Sequence, residues 1–424
     1  MTAAAKRIVR SYLALTLLST LAASFIWGIN TLFLLDAGLS ITQAFTANAF
    51  FTAGQVLFEL PTGFVADTMG RRASYLLGAG TLFVSTLLYL LLWQSTGPFW
   101  AWAVVSMLLG LGFTFFSGAT EAWLVDGLKA AKFDGTLESV LAKGAIANGI
   151  AMLTGTVAGG VIAQSTNLGV PYLIRAAMLF LTFIIAFAFM HDQGFKPRKS
   201  ASLGKEIRKL FQSSLKHGIL NPRVRWLMLS APFGGGVGIF AFYAMQPYLL
   251  ELYGGPGSYS VAGIAAAVVA GAQIVGGLIV PYVGKVFRRR TSVLAVGVGI
   301  SSAALALMGL VPMFWIVLSL LTIWSVVFAA VGPVRQAYLN SLIPSEQRAT
   351  VLSSDNLLAS AGGAVIQPGL GKSADVWGYP VSYIISSVIQ IMALPFVLIA
   401  AYQKTPSDVI EDGDKAARAP SHNK

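Results

Sequence analysis

Cysteine is absent from this chain of 424 residues, so neither a disulfide nor a thiolate metal site can form, and pairing says nothing about redox compartment. Histidine is scarce: His191, His217 and His422 all fall in stretches read as loop or tail. That excludes a histidine-based catalytic or metal centre within the apolar part of the chain. Charge is scarce as well, at 11% of residues against 56% hydrophobic, with a mean hydropathy of +0.72. Soluble domains carry about 25% charged residues, so this composition is that of a protein crossing the membrane many times. The net charge of +12 does not indicate a nucleic-acid partner, because the lysines and arginines sit at the ends of apolar runs.

What the chain has in abundance is long apolar runs. Six occupy 11–34, 41–64, 73–93, 99–123, 137–163 and 171–190; six more occupy 226–252, 261–283, 292–310, 313–334, 351–370 and 381–402. Each is long enough to span ~30 Å of hydrocarbon as a helix. An even number of spans places both termini on one side. Of the 29 lysines and arginines, all but Arg175 and Lys372 fall on that side, which the positive-inside rule makes the cytoplasm. Arg335, at the inner end of the tenth span, reads as one of these positive-inside anchors, with a counter-ion for an anionic substrate as the alternative. The amino terminus is basic, but no small-residue cleavage pattern follows a short apolar core, so it reads as an uncleaved first span.

Segment 191–225 is the longest polar stretch and divides the chain into a first lobe (1–190), a linker (191–225), a second lobe (226–402) and a tail (403–424). Within the linker Leu203, Ile207, Leu210, Phe211 and Leu215 recur at helical spacing among Lys205, Arg208, Lys209 and Lys216. The pattern fits a basic amphipathic helix on the inner leaflet and equally a solvated linker helix. The lobes repeat one another. Arg72-Ala73-Ser74-Tyr75-Leu76 answers Arg290-Thr291-Ser292-Val293-Leu294, and Ala122-Trp123-Leu124 answers Ala337-Tyr338-Leu339.

Between the second and third runs lies Gly63-Phe64-Val65-Ala66-Asp67-Thr68-Met69-Gly70-Arg71-Arg72. Gly63 and Gly70 permit close approach and a tight turn, Asp67 accepts hydrogen bonds, and Arg71 and Arg72 offer fork-shaped cations. The form G-x-x-x-D-x-x-G-R-R between two apolar runs resembles the cytoplasmic loop between helices 2 and 3 of the major facilitator superfamily of secondary transporters. The second lobe has a worn copy, Gly284-Lys285-Val286-Phe287-Arg288-Arg289-Arg290, with Lys285 in place of the acid. The resemblance implies an all-α membrane protein, twelve transmembrane helices in two pseudo-symmetric six-helix lobes. It also implies a conformational latch in which Asp67 faces the start of helix 11 and Asp126 pairs with Arg71 or Arg72.

Polar side chains inside a span need a cavity or a partner, so they mark the helices that line a path. The third and ninth spans carry no amide or charge in their interiors, and the sixth and twelfth carry only Arg175 and Gln390. In the resembled family every third helix is peripheral, which fits this distribution. Asn48, Gln55 and Glu59 share one face of the second span, and Thr114, Ser117 and Glu121 form a stripe on the fourth. Glu59 is the first proton-coupling candidate, since a lone carboxylate near the inner end of a span should have its charged form disfavoured by desolvation, and Glu121 is the second. Asn30, Gln55, Tyr243, Gln246, Gln273, Trp324, Asn356 and Gln367 are the substrate-cavity candidates, suited to a partly apolar, weakly specified compound.

For direction, drug-exporting members of the resembled family carry G-P-x-x-G-G on the fifth span. Here Gly155, Gly159 and Gly160 match while Thr156 replaces the proline, and Ser106 stands where exporters often place an arginine. The expectation is therefore proton-coupled efflux of a small amphiphilic compound by a monomer in a bacterial cytoplasmic membrane, with uptake of a specific metabolite as the alternative. ATP use is unsupported, because Ile366 stands where the phosphate-binding loop that ends Gly371-Lys372-Ser373 would need glycine. No cofactor is expected, and no converging cluster of His, Asp or Cys suggests a membrane enzyme.

Overall fold

The computed structural model describes residues 2–195, 197, 204, 208, 212, 215–255, 257–344 and 347–410. Its long elements are all helices: α1 (Ala3–Trp27), α2 (Asn30–Asp36), α3 (Ile41–Thr68), α4 (Arg71–Ser95), α5 (Phe99–Phe116), α6 (Ala119–Ala130), α7 (Leu137–Ser165) and α8 (Gly169–Phe189). There follow α9 (Pro222–Tyr253), α10 (Tyr259–Val286), α11 (Arg290–Leu310), α12 (Phe314–Leu342), α13 (Arg348–Ile391) and α14 (Ala393–Tyr402). Most of the predicted amphipathic linker lies outside the described residues; its last part forms a π-helical turn over Leu215–Ile219, which places His217 in a helix and not in a loop.

Among the described residues eleven stretches are long and apolar enough to cross a membrane, and the last of them, Thr350–Tyr402, has 53 residues. As one helix that would measure about 80 Å, far more than the ~30 Å of hydrocarbon. Gly378 interrupts it at φ +82° and ψ +166°, a conformation that only glycine adopts cheaply. The stretch is two spans, and the total is the twelve expected.

Two other spans, continuous as apolar runs, are broken. The first parts at Gly28-Ile29, between α1 and α2, and Gln246 of α9 fills the gap. Its Nε2 donates to the Trp27 carbonyl at 2.8 Å and its Oε1 accepts from the Thr31 N–H at 2.9 Å, so backbone groups freed by the break are satisfied. The fourth span parts at Ser117-Gly118, where Gly118 has φ +67°. By contrast α3 runs on through Pro61, started by a reciprocal capping box between Ser40 and Gln43.

By packing, the chain forms two units. One comprises 1–207, 242–267 and 364–376; the other comprises 208–241, 268–363 and 377–424. The first unit thus gathers parts of α9, α10 and α13 around the amino-terminal helices. Asp375 of α13 accepts from the Ile41 and Thr42 N–H groups at the start of α3, at 3.2 and 3.1 Å, and Gln164 of α7 accepts from the Ser260 N–H at the start of α10 at 3.1 Å. Its core is an aromatic cluster in which Phe33 stacks on Tyr172 with centroids 3.9 Å apart, flanked by Tyr89 and Trp102. Aromatic pairs of this kind add ~0.5–1.5 kcal/mol beyond simple burial. The second unit's core joins Leu227, Met228, Leu294, Tyr338, Leu339 and Val351.

Candidate functional site

Each unit has a partly open, mainly apolar cavity with polar side chains on its wall. That of the first unit measures about 460 Å³ and is bounded by Asn30, Asn48, Gln55, Asn148, Arg175 and Tyr243, with aromatic walls from Trp27, Phe51, Tyr89, Phe113 and Phe116. Three of the expected cavity residues, Asn30, Gln55 and Tyr243, therefore come together here. Asn30 lies in a one-way chain of hydrogen bonds: Tyr172 Oη donates to Asn30 Oδ1 at 2.9 Å, and Asn30 Nδ2 donates to Asn48 Oδ1 at 3.0 Å. Arg175, from the supposedly peripheral sixth span, is buried on the same wall. Its signal in the sequence was a lone cation inside an apolar run, which topology counting assigned to the outer face. Span 3 contributes Leu82 and Tyr89, so the spans expected to be peripheral line the cavity too.

The second unit's cavity, about 560 Å³, is lined by Gln273, Arg335, Asp355, Asn356 and Gln390 among others. Arg335 is no mere surface anchor. Its guanidinium grips the buried Asp355 carboxylate with both terminal nitrogens, Nη2 to Oδ1 at 2.8 Å, and Nη2 also donates to the Leu227 carbonyl at 2.7 Å. In the sequence Asp355 has no pattern beyond its place beside Asn356, and its partner Arg335 lies twenty residues away.

The remaining cavity candidates are packed elsewhere. Gln246 is fully buried, spent on the break between α1 and α2. Gln367 is fully buried and donates to Thr52 Oγ1 at 3.3 Å. Trp324 is buried against Phe328, ring centroids 5.5 Å apart. An amide or indole reaching the wet side of a helix and one reaching a neighbouring helix look alike in a sequence.

Glu59 accepts a hydrogen bond from Ser117 Oγ at 2.8 Å. Ser117 is the residue at which the fourth span breaks, so this carboxylate abuts an irregular backbone. Glu121, in the first turn of α6, is exposed.

In the charged turn, Gly70 takes φ +106° and caps α4, while a methyl built on it would meet Asp192 Oδ2 at 2.2 Å. Gly63 is different: it lies inside α3 and a methyl there would meet nothing within 4 Å, so close approach is not its reason. Asp67 and Arg71 form an ion pair at 2.7 Å across the corner. Arg72 donates from its backbone N–H to Asp192 Oδ1 at 2.9 Å and from Nη2 to the Phe187 carbonyl at 2.8 Å. Among the described residues Asp126 forms an ion pair with neither arginine: Arg71 pairs with Asp67, and Arg72 Nη2 is taken by the Phe187 carbonyl of α8. The glycines of the fifth span serve helix contact: a methyl on Gly155 would meet Ser24 Cβ at 2.5 Å, one on Gly159 the Phe25 carbonyl at 2.0 Å, and one on Gly160 the Tyr259 carbonyl at 2.8 Å.

Comparison with known proteins bears on this arrangement. No curated protein sequence matches the chain. Among solved structures it is similar to the nucleoside transporter NupG, with a TM-score of 0.77 at 12% identity over 92% of this chain and 98% of that one. A bacterial homologue of the human lysosomal transporter Spinster, in an inward-facing and unoccupied conformation, gives 0.72 at 15% identity over 97% and 100%. A POT family transporter in complex with a thioalcohol-conjugated peptide gives 0.69 at 14% over 93% and 96%. At these identities the likeness is one of fold. The model of the Major Facilitator Superfamily matches residues 12–368 and again 247–421. A twelve-span helical membrane protein that matches this model over most of its length is a transporter and not an enzyme, and the chain belongs to the Major Facilitator Superfamily.

Proposed function

We propose that this transporter expels small amphiphilic compounds in exchange for protons, by alternating access of the lobes 1–190 and 226–402, as a monomer in a bacterial cytoplasmic membrane with both termini inside. The observation that carries the reading is the position of Glu59. It stands one helical turn from Gln55 on the cavity wall and accepts from Ser117, where the fourth span breaks between α5 and α6. Protonation exchanges a charge-assisted hydrogen bond for a neutral one of about half its strength. A proton taken from the outside thereby alters the bond at an irregular point of a cavity-lining span. Glu121 is the second proton carrier, and the Asp67–Arg71 turn is the latch. The departures at Thr156 and Ser106 favour a second reading, proton-coupled uptake of a specific metabolite.

The test is accumulation of fluorescent lipophilic dyes and antibiotics in an efflux-deficient bacterium expressing the chain, with and without a protonophore. Lower accumulation than in vector controls, reversed by the protonophore and by Glu59→Gln, is the expected result. Full gradient-driven activity in Glu59→Gln would remove Glu59 from the mechanism, and raised accumulation would reverse the direction.

A further inference from the structure

We propose that the cavity of the first unit binds an organic monoanion with an apolar, aromatic-sized body, its acidic group held between Arg175 and Asn48. This rests on the transport reading only in taking the cavity as the place the substrate enters, and it adds the substrate's charge and shape.

Arg175 lies on α8 with 2% of its surface exposed. Its guanidinium has five N–H donors. Nε donates to Thr86 Oγ1 at 3.1 Å, and Nη1 makes only a long contact with the Ala22 carbonyl at 3.4 Å. Among the described residues no carboxylate pairs with it, and no Asp or Glu lines the cavity. A buried charge is costly unless it is paired, and inside a membrane protein such a residue marks a functional site. The contrast within the same chain is direct: Arg335, in the other unit's cavity, has its charge matched by Asp355.

An independent observation points the same way. Asn48 is 4% exposed and its Nδ2 has no partner, although its Oδ1 accepts from Asn30. The hydrogen-bond chain that starts at Tyr172 ends on the cavity wall in a donor. The complement of two unspent donors, one of them cationic, is an anionic acceptor, and the planar guanidinium fork matches a carboxylate. One guanidinium balances one negative charge. Trp27, Phe51, Tyr89, Phe113 and Phe116 supply the apolar walls, and about 460 Å³ falls within the range of small-molecule sites.

The test is equilibrium dialysis of the purified full-length protein in nanodiscs, with empty nanodiscs subtracted, against 1-naphthoate, 1-naphthamide and 1-naphthylmethylammonium. Naphthoate is expected to bind saturably and at least about tenfold more tightly than the amide, as a charge-assisted hydrogen bond implies; the ammonium is expected not to bind. Arg175→Gln should lose that preference, Arg175→Lys should retain part of it, and Asn48→Asp, which removes a donor and adds a negative charge, should weaken naphthoate more than it weakens the amide. Because Arg175→Gln alters a buried position, Asn48→Asp is read beside it, each after a monodisperse elution profile. Equal binding of the three probes, failure of naphthoate to bind, or a full preference in Asn48→Asp and Arg175→Gln would overturn the proposal. The assay needs no gradient, so anion binding without dye efflux would sink the proposed direction alone, whereas efflux of cationic dyes unaffected by Arg175→Gln would sink the anion site alone.

Discussion

Asp192 and Asp408 occupy equivalent places in the two halves of the chain. Each follows the last span of its half, and each accepts a backbone N–H at the start of that half's third span: Asp192 from Arg72 at 2.9 Å, Asp408 from Thr291 at 2.8 Å. Asp408 also accepts from Thr291 Oγ1 at 2.8 Å, and Tyr338 and Thr405 bond beside it. A carboxylate at a helix N-terminus satisfies an orphan donor and meets the positive end of the helix dipole.

Asp408→Ala is therefore expected to lower stability by about 0.5–2 kcal/mol, the range for loss of a cap. Asp408→Asn, which keeps an acceptor oxygen, should lose less than half of that. Thermal unfolding of the purified protein checks both; a melting curve for Asp408→Ala that overlays the wild type would show the cap to be idle.

The Arg335–Asp355 pair predicts a different pattern. Asp355→Ala strands a guanidinium that also holds the Leu227 carbonyl, and breaking a buried pair from one side costs about 3–5 kcal/mol. Replacing both partners with apolar residues, Arg335→Met with Asp355→Leu, should cost clearly less than either single change. A double-mutant cycle on melting temperature measures this, and simple additivity would mean that the two residues do not interact.

The two glycines of the charged turn separate sharply. Gly70→Ala places a methyl onto Asp192 at a positive φ with extended ψ, so it combines backbone strain of ~1–3 kcal/mol with loss of the contact that holds the corner. Gly63→Ala meets open space within α3 and should be neutral or stabilising by up to ~1 kcal/mol, as helix propensity dictates. If both variants melt and transport alike, the distinction fails.

These examples show what could be read in advance. The spans were legible because burial in hydrocarbon demands about twenty apolar residues at a time, and the corner at Gly70 was legible because its residue types are fixed by backbone geometry and charge. Asp192 and Asp408 were not legible, because each caps a helix more than a hundred residues away and neither neighbourhood has a local pattern. Arg175 was counted for topology, where one cation weighs little against many, and only its missing counter-ion in the structure shows its importance. The breaks at Gly28-Ile29 and Ser117-Gly118 sit in uninterrupted apolar runs, whose hydropathy cannot register a change of backbone direction.

Gln246 shows how the two kinds of polar residue are told apart. As a cavity amide it would contribute to substrate affinity; as the bridge between the Trp27 carbonyl and the Thr31 N–H it contributes to stability. Gln246→Leu leaves a carbonyl and an N–H without these partners in a buried setting, at about 1–3 kcal/mol each, while Gln246→Glu keeps the acceptor for Thr31 and loses only the donor to Trp27. The expected order of melting temperature is wild type, Glu, then Leu, with KM nearly unchanged in whatever fraction remains folded. Gln55→Leu, on the cavity wall and without a bridging role, is expected to do the reverse, raising KM at a near-normal melting temperature. Should Gln246→Leu raise KM and leave melting untouched, the residue would belong to the cavity after all, and the break in the first span would need another source of stability.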